Sequence, residues 1–215
     1  MIYSSLLSQL DWLDHGFGTR TAPLSQDGMA TLKQIHSACV LRADEPGLAG
    51  EGDALVTNRT GLALSVRTAD CYPILLVDTE SRVIAAIHAG WRGTAAAILQ
   101  ETLRQMHAAP EHVLAAIGPG IGGCCYEVGA EVAQLFGPPH AGRIDLAEAN
   151  RRQLIHAGVA ERNIDVVHND GTRHCTYCDA EQFHSFRRDK DRAGRMISFI
   201  AVTNVATRPR QAGRE

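Results

Sequence analysis

Apolar residues follow two rhythms along this chain of 215 residues. Over positions 53–57, 62–67, 72–77 and 82–88 they come in near-continuous runs rich in Ile, Leu, Val and Ala. Runs of that length predict strands covered on both faces. The connection Asn58-Arg59-Thr60-Gly61 predicts a hairpin-like link between the first two, and Asp78-Thr79-Glu80-Ser81 joins the last two. From 94 to 108 the spacing turns helical. Ile98, Leu99, Leu103 and Met106 share one face, Thr94 is placed as an early cap and Pro110 ends the element.

Downstream, 113–117 predicts a strand, and 130–136 a short helix stopped by Gly137-Pro138-Pro139. Residues 146–157 predict a second amphipathic helix with Gly158 at its end, 163–167 a strand, 180–187 a helix and 196–202 a closing strand. Upstream, 1–14 reads as a loosely tied lead-in and 15–20 as a Gly-punctuated strand or turn ending in Arg20. Residues 38–41 read as a strand, and 44–52 and 169–178 as turn-rich or loop. Helices and strands do not alternate strictly. The pattern therefore predicts an α+β fold with mixed sheets rather than a doubly wound one, in a single domain over 1–215.

The formal net charge of −3 and the lack of any like-charge block give no footprint for nucleic acid or a membrane surface. The basic stretch from Arg208 to Arg214 is short and reads as a frayed tail. No apolar run reaches the roughly 18 residues that a membrane span needs. Met1-Ile2-Tyr3 lacks a charged leader, so the six cysteines are expected as reduced thiols or ligands in a cytoplasmic protein.

Candidate chemistry concentrates at the strand ends. Thr68-Ala69-Asp70-Cys71 is a polar break inside apolar surroundings, and His88 opens the turn His88-Ala89-Gly90-Trp91-Arg92-Gly93. A Cys and a His at neighbouring strand tips suit a metal site or a Cys/His nucleophile pair. Catalytic zinc uses three protein ligands and an open position. His36 is the first choice for the third, with His15 and the pair His168/His174 as rivals. Cys175-x-x-Cys178 is a weaker metal candidate, because no second pair stands at zinc-ribbon spacing. Cys124-Cys125 is weaker again, because adjacent side chains in a strand face opposite ways and rarely bind one metal together. The glycines from Gly118 to Gly123 match neither a P-loop nor a dinucleotide fingerprint.

Several segments, in order and over nearly the whole chain, resemble the YfiH-like laccase-domain family, first described as multicopper polyphenol oxidoreductases and later as purine nucleoside phosphorylases. They are Gln34-x-His36, Gly52-Asp53-Ala54-Leu55-Val56-Thr57, Thr68-Ala69-Asp70-Cys71, His88 to Gly93, Gly118-Pro119 through Gly129, and Cys175-Thr176 with Phe183, Ser185, Arg187, Arg188 and Gly194-Arg195-Met196. Ser37 stands where the family usually has Gly, and the chain is a little short. The resemblance implies an α/β sandwich with zinc, or copper, held by His36, Cys71 and His88. It implies phosphorolysis of adenosine, inosine, guanosine and methylthioadenosine, alongside adenosine deamination. No partner beyond nucleoside and phosphate is expected.

On that reading Arg20, Arg67 and Arg92 are candidate phosphate clamps, since a guanidinium fork matches phosphate geometry. Asp70 is a candidate acid for the leaving base. Two alternatives remain. A copper oxidase is disfavoured because none of the ten histidines forms a His-x-His pair. A metal-free hydrolase would use Cys71 as nucleophile and His88 as base.

Overall fold

The computed structural model describes residues 1–137, 142–169 and 172–204. Its strands are, in order, β1 (Leu13–Gly16), β2 (Ala30–Lys33), β3 (Val40–Arg42), β4 (Gly47–Glu51), β5 (Ala54–Thr57), β6 (Ala63–Thr68), β7 (Tyr72–Asp78), β8 (Ile84–Ala89), β9 (Val113–Ile117), β10 (Ile164–Val166), β11 (His168–Asn169), β12 (Thr172–Arg173) and β13 (Met196–Val202). The helices are α1 (Trp91–Ala95), α2 (Ile98–Met106), α3 (Ala130–Ala133), α4 (Leu146–His156) and α5 (Phe186–Asp189). A six-stranded sheet runs β10-β9-β7-β8-β5-β3, a five-stranded sheet runs β1-β13-β6-β2-β4, and β11 pairs with β12. Both large sheets mix parallel and antiparallel neighbours.

The continuous apolar runs have a direct cause. The six-stranded sheet is the middle of three layers, so both of its faces are covered. Along β7, Ile74 and Leu76 pack with Leu99 and Leu103 of α2 and Leu154 of α4. The intervening Leu75 and Val77 pack with Leu64, Val66 and Ile200 of the other sheet. β8 divides the same way, Ala85 and Ile87 toward the helices and Ile84 and Ala86 toward the second sheet. Successive side chains point to opposite faces, so each strand feeds two cores.

Several expectations need correction. The run at 53–57 and the run at 62–67 do not form a hairpin: β5 belongs to the six-stranded sheet and β6 to the five-stranded one, so Asn58–Gly61 is a crossover between layers. The lead-in is tied down: Leu7 and Leu13 are fully buried, and Ser4 Oγ donates to Asp165 Oδ2 at 2.5 Å. β4 occupies the region expected as turn, on a sheet edge where its side chains stay exposed and carry no apolar signal. Thr94 is not a cap. It lies inside α1, and its hydroxyl donates to Asn150 Oδ1; α2 starts anew after Ala97, which takes φ +61°. The helix expected at 180–187 shrinks to α5, capped by Ser185, whose hydroxyl accepts the Arg188 amide. β11 and β12 pair inside the segment expected as loop. Pro138 and Pro139, and the basic tail from Arg208, lie outside the described residues.

Candidate metal centre

The antiparallel register of β7 and β8 builds the site. Tyr72 faces Ala89 and Pro73 faces His88, so Cys71, just before β7, meets the end of β8. β5 flanks β8 on its other side with Ala54 opposite Ile87, which sets Asp53 beside His88. The loop after β2 then brings in His36 with φ +59°.

His36, Cys71 and His88 each offer a ligand atom within 4.8 Å of the others. The imidazoles of His36 and His88 pack edge to face, 4.9 Å between centroids. Gly90 makes the convergence possible: a Cβ there would lie 2.9 Å from Cys71 Sγ and 3.5 Å from His36 Cδ2. Gly93 does similar work for the loop, because a Cβ would sit 2.9 Å from the Ser37 carbonyl oxygen.

Asp53 organises the trio from behind. Fully buried, its carboxylate accepts the backbone amides of Ile35, His36 and Ser37, the Ser37 hydroxyl at 2.8 Å, and His88 Nδ1 at 2.8 Å. It therefore folds the His36 loop and aims His88 in one stroke, leaving Nε2 of His88 to face the site. Sequence reading placed Asp53 in a strand and in a family-like segment, with no role in the site. The available signal was a carboxylate opening an otherwise apolar run, a position that is costly unless it is paired. Burial pushes the Asp53 carboxyl up, but bonds from His88 and Ser37 bring it down to about 2. Burial likewise pushes His88 down, and Asp53 and Cys71 raise it to about 9. Burial raises the Cys71 thiol, while His36 and His88 draw it down to about 7.

The other expected third ligands are elsewhere. His15 is buried and its Nε2 accepts the Ser4 amide. His174 stacks edge-on against Phe183. The His168 side chain lies outside the described residues.

The trio opens into a cavity of about 520 Å³ lined by Asp70, Arg67, Arg92, Trp91 and Tyr126, and also by Arg187, Arg195 and Phe186. That volume suits a small-molecule ligand. Among the described residues, none of these four guanidinium groups pairs with a carboxylate. Arg67 is set by Gln34, whose amide pairs with both the N–H and the carbonyl of Arg67 at 2.8 Å. Arg20 does not join this wall: its guanidinium donates to the Ala180 carbonyl, and it is not among the lining residues. Arg187 and Arg195, which the sequence offered only within family-like segments and with no role, come from the C-terminal third.

Asp70 lines the cavity with φ +88°. Its Oδ1 accepts the Thr176 hydroxyl at 2.7 Å and its Oδ2 accepts the Arg187 amide at 2.6 Å. Both oxygens are thus taken up in tying the Cys71 turn to the C-terminal loops.

The chain is similar to several known proteins. The family described as multi-copper polyphenol oxidoreductase laccase matches residues 18–203. A purine nucleoside phosphorylase of Deinococcus radiodurans is 43% identical over 190 residues, covering 82% of this chain and 71% of that protein. Adenosine deaminase RL5, from an unknown prokaryotic organism, is 38% identical over 202 residues, covering 81% and 75%. The crystal structure of YlmD from Geobacillus stearothermophilus superposes with a TM-score of 0.75 at 32% identity, over 83% of this chain and 75% of that one.

Proposed function

The chain belongs to the YfiH-like laccase-domain family, and from that premise we propose that it is a zinc-dependent purine nucleoside phosphorylase that also deaminates adenosine. The observation that carries this reading is the convergence of two imidazoles and one thiol on the floor of a cavity walled by guanidinium groups. His36, Cys71 and His88 form a donor set of the kind zinc takes at catalytic sites, with three protein ligands and a side left open. Bound there, zinc would supply Lewis acidity toward an oxygen ligand.

The chain's own residues do the rest. Arg67, Arg92, Arg187 and Arg195 offer a positive wall for phosphate, which must approach the ribose C1′ as the glycosidic bond breaks. Trp91, Tyr126 and Phe186 supply flat apolar surface for a purine. Arg92 lies over the Trp91 ring at 4.5 Å and Arg187 over Tyr126 at 5.3 Å, so cations and rings are interleaved. We assign Asp70 to positioning of the Cys71 turn, because both of its oxygens already accept hydrogen bonds. The described residues disfavour copper chemistry of the multicopper kind. Among the described residues no metal-sharing group contains more than two imidazoles.

The test is phosphate-dependent release of ribose 1-phosphate from inosine, with ammonia release from adenosine, in zinc-loaded and chelator-treated protein. Activity should require zinc and vanish when His36, Cys71 and His88 are replaced together. Undiminished nucleoside cleavage by that triple variant rejects the reading. The Asp53–His88–Cys71 alignment also suits a cysteine nucleophile with an oriented base. That alternative gives no role to His36, and it requires activity to survive complete removal of metal.

A further inference from the structure

We propose that the chain carries a second zinc ion, bound by the four thiolates of Cys124, Cys125, Cys175 and Cys178, which fastens the two loops that hold Asp70 and so steadies the candidate active site. The site shares no ligand with His36, Cys71 and His88, and no step of the proposed reaction uses it.

The four sulfurs lie within 4.8 Å of one another. Cys178 Sγ is 3.7 Å from that of Cys124 and 3.3 Å from that of Cys125, across 54 and 53 residues of chain. With Zn–S bonds of about 2.3 Å, sulfurs at the corners of a tetrahedron stand about 3.8 Å apart. The cluster is already close to that spacing. An iron–sulfur cluster spreads its thiolates over several metal atoms and needs a wider cradle. Disulfides would sort the four sulfurs into pairs, whereas Cys178 Sγ lies near both Cys124 and Cys125.

The backbone supports a thiolate at Cys175. Cys175 Sγ accepts the amide of Gly122 at 3.3 Å and that of Cys178 in its own Cys-x-x-Cys turn. Two N–H donors on one sulfur stabilise the charge that a soft divalent cation requires. The objection to adjacent Cys124 and Cys125 falls away. They sit in a tight turn, where the amides of Cys125 and Tyr126 both reach the Gly122 carbonyl at 2.9 Å, and not in a strand. Both thiols can therefore turn to the same side.

Four protein ligands leave no open position, so such an ion builds structure and does no chemistry. What it would hold is specific. Gly120 bridges Cys175, the Thr176 amide donates to the Gly120 carbonyl at 3.0 Å, and the Thr176 hydroxyl reaches Asp70. The Ile121 amide donates to the Asp70 carbonyl at 2.8 Å. The ion would thus clasp both loops that grip the residue before Cys71.

Zinc content of protein purified with reductant decides the matter. Wild type is expected to hold zinc at both places. The Cys71→Ala/His88→Ala and the Cys175→Ser/Cys178→Ser variants should each lose one equivalent and keep the other. Cobalt(II) loaded into Cys71→Ala/His88→Ala should give intense thiolate-to-cobalt charge transfer with visible bands of a tetrahedral ion. This arm does not depend on the cysteine-pair variant folding. The proposal is overturned if Cys71→Ala/His88→Ala holds no zinc and shows no such bands. It is equally overturned if these cysteines are recovered as disulfides from reductant-treated protein. Either result leaves the nucleoside reading intact, since that reading is tested on the first site alone.

Discussion

Asp53 Oδ1 lies 2.8 Å from His88 Nδ1, and the same carboxylate accepts the amides that shape the His36 loop. One buried side chain thereby sets the direction of one proposed ligand and the position of another. Asp53→Asn keeps the size but loses the charge, and its amide can present only one acceptor oxygen to these donors. Removing the orienting partner of a ligand typically costs about 10–100-fold in metal affinity. We expect a loss in that range for zinc in competition with a chromophoric chelator, with a lower Tm. Unchanged affinity would remove Asp53 from the site.

Gly90 is required for closeness and not for backbone freedom. Its φ of −84° and ψ of 173° suit any residue, yet a Cβ would lie 2.9 Å from Cys71 Sγ. Gly90→Ala should fold, and its circular dichroism should match wild type. Metal ligands tolerate displacements of only about 0.2 Å, so zinc affinity should fall about tenfold. Full zinc retention would show that Cys71 can move aside.

The arginines divide by location. Arg67 and Arg92 line the cavity and Arg20 does not. A charged hydrogen bond to phosphate contributes about 2 kcal/mol, or roughly thirtyfold. Arg92→Ala and Arg67→Ala should each raise the phosphate KM by about that factor, with a smaller change for nucleoside. Arg20→Ala should leave it unchanged. A phosphate KM that is the same in Arg92→Ala as in wild type rejects the clamp.

Acid stability has a local source on α4. Glu148 accepts Arg151 at 2.8 Å and Arg152 at 2.9 Å, and Arg151 chiefly draws its carboxyl down from 4.5 to about 2. A depressed folded-state value means stabilisation present above 4.5, which fades as the pH falls toward 2. Arg152 faces solvent, so screening limits the network to about 1 kcal/mol. Glu148→Gln should therefore lower Tm at neutral pH, and the gap from wild type should close near pH 2. A gap that persists there would assign the effect to packing.

The sequence signalled most where burial was two-sided. β7, β8 and β9 are legible because both faces of their sheet are covered, so their central positions are apolar without a break. β4 was invisible for the opposite reason, lying exposed at an edge. His36, Cys71 and His88 could be nominated from strand ends and glycines, and the structure does bring them together. Asp53, Arg187 and Arg195 stood in family-like segments without a role, because their roles depend on tertiary neighbours. Nothing local tells Asp53 that its partners are 35 residues away at His88 and 17 away at His36. Cys124 and Cys125 were misjudged by assuming strand geometry where a turn stands.

Among the described residues β13 is the last strand, yet it sits inside the five-stranded sheet, between β1 and β6. Leu13 pairs with Val202 and Met196 with Thr68, so the opening strand has no neighbour in that sheet until the final one arrives. A polypeptide still being synthesised must wait with one side of β6 unzipped, an invitation to intermolecular pairing. Shortening the chain before Met196 would make that exposure permanent, and such a fragment should precipitate during expression.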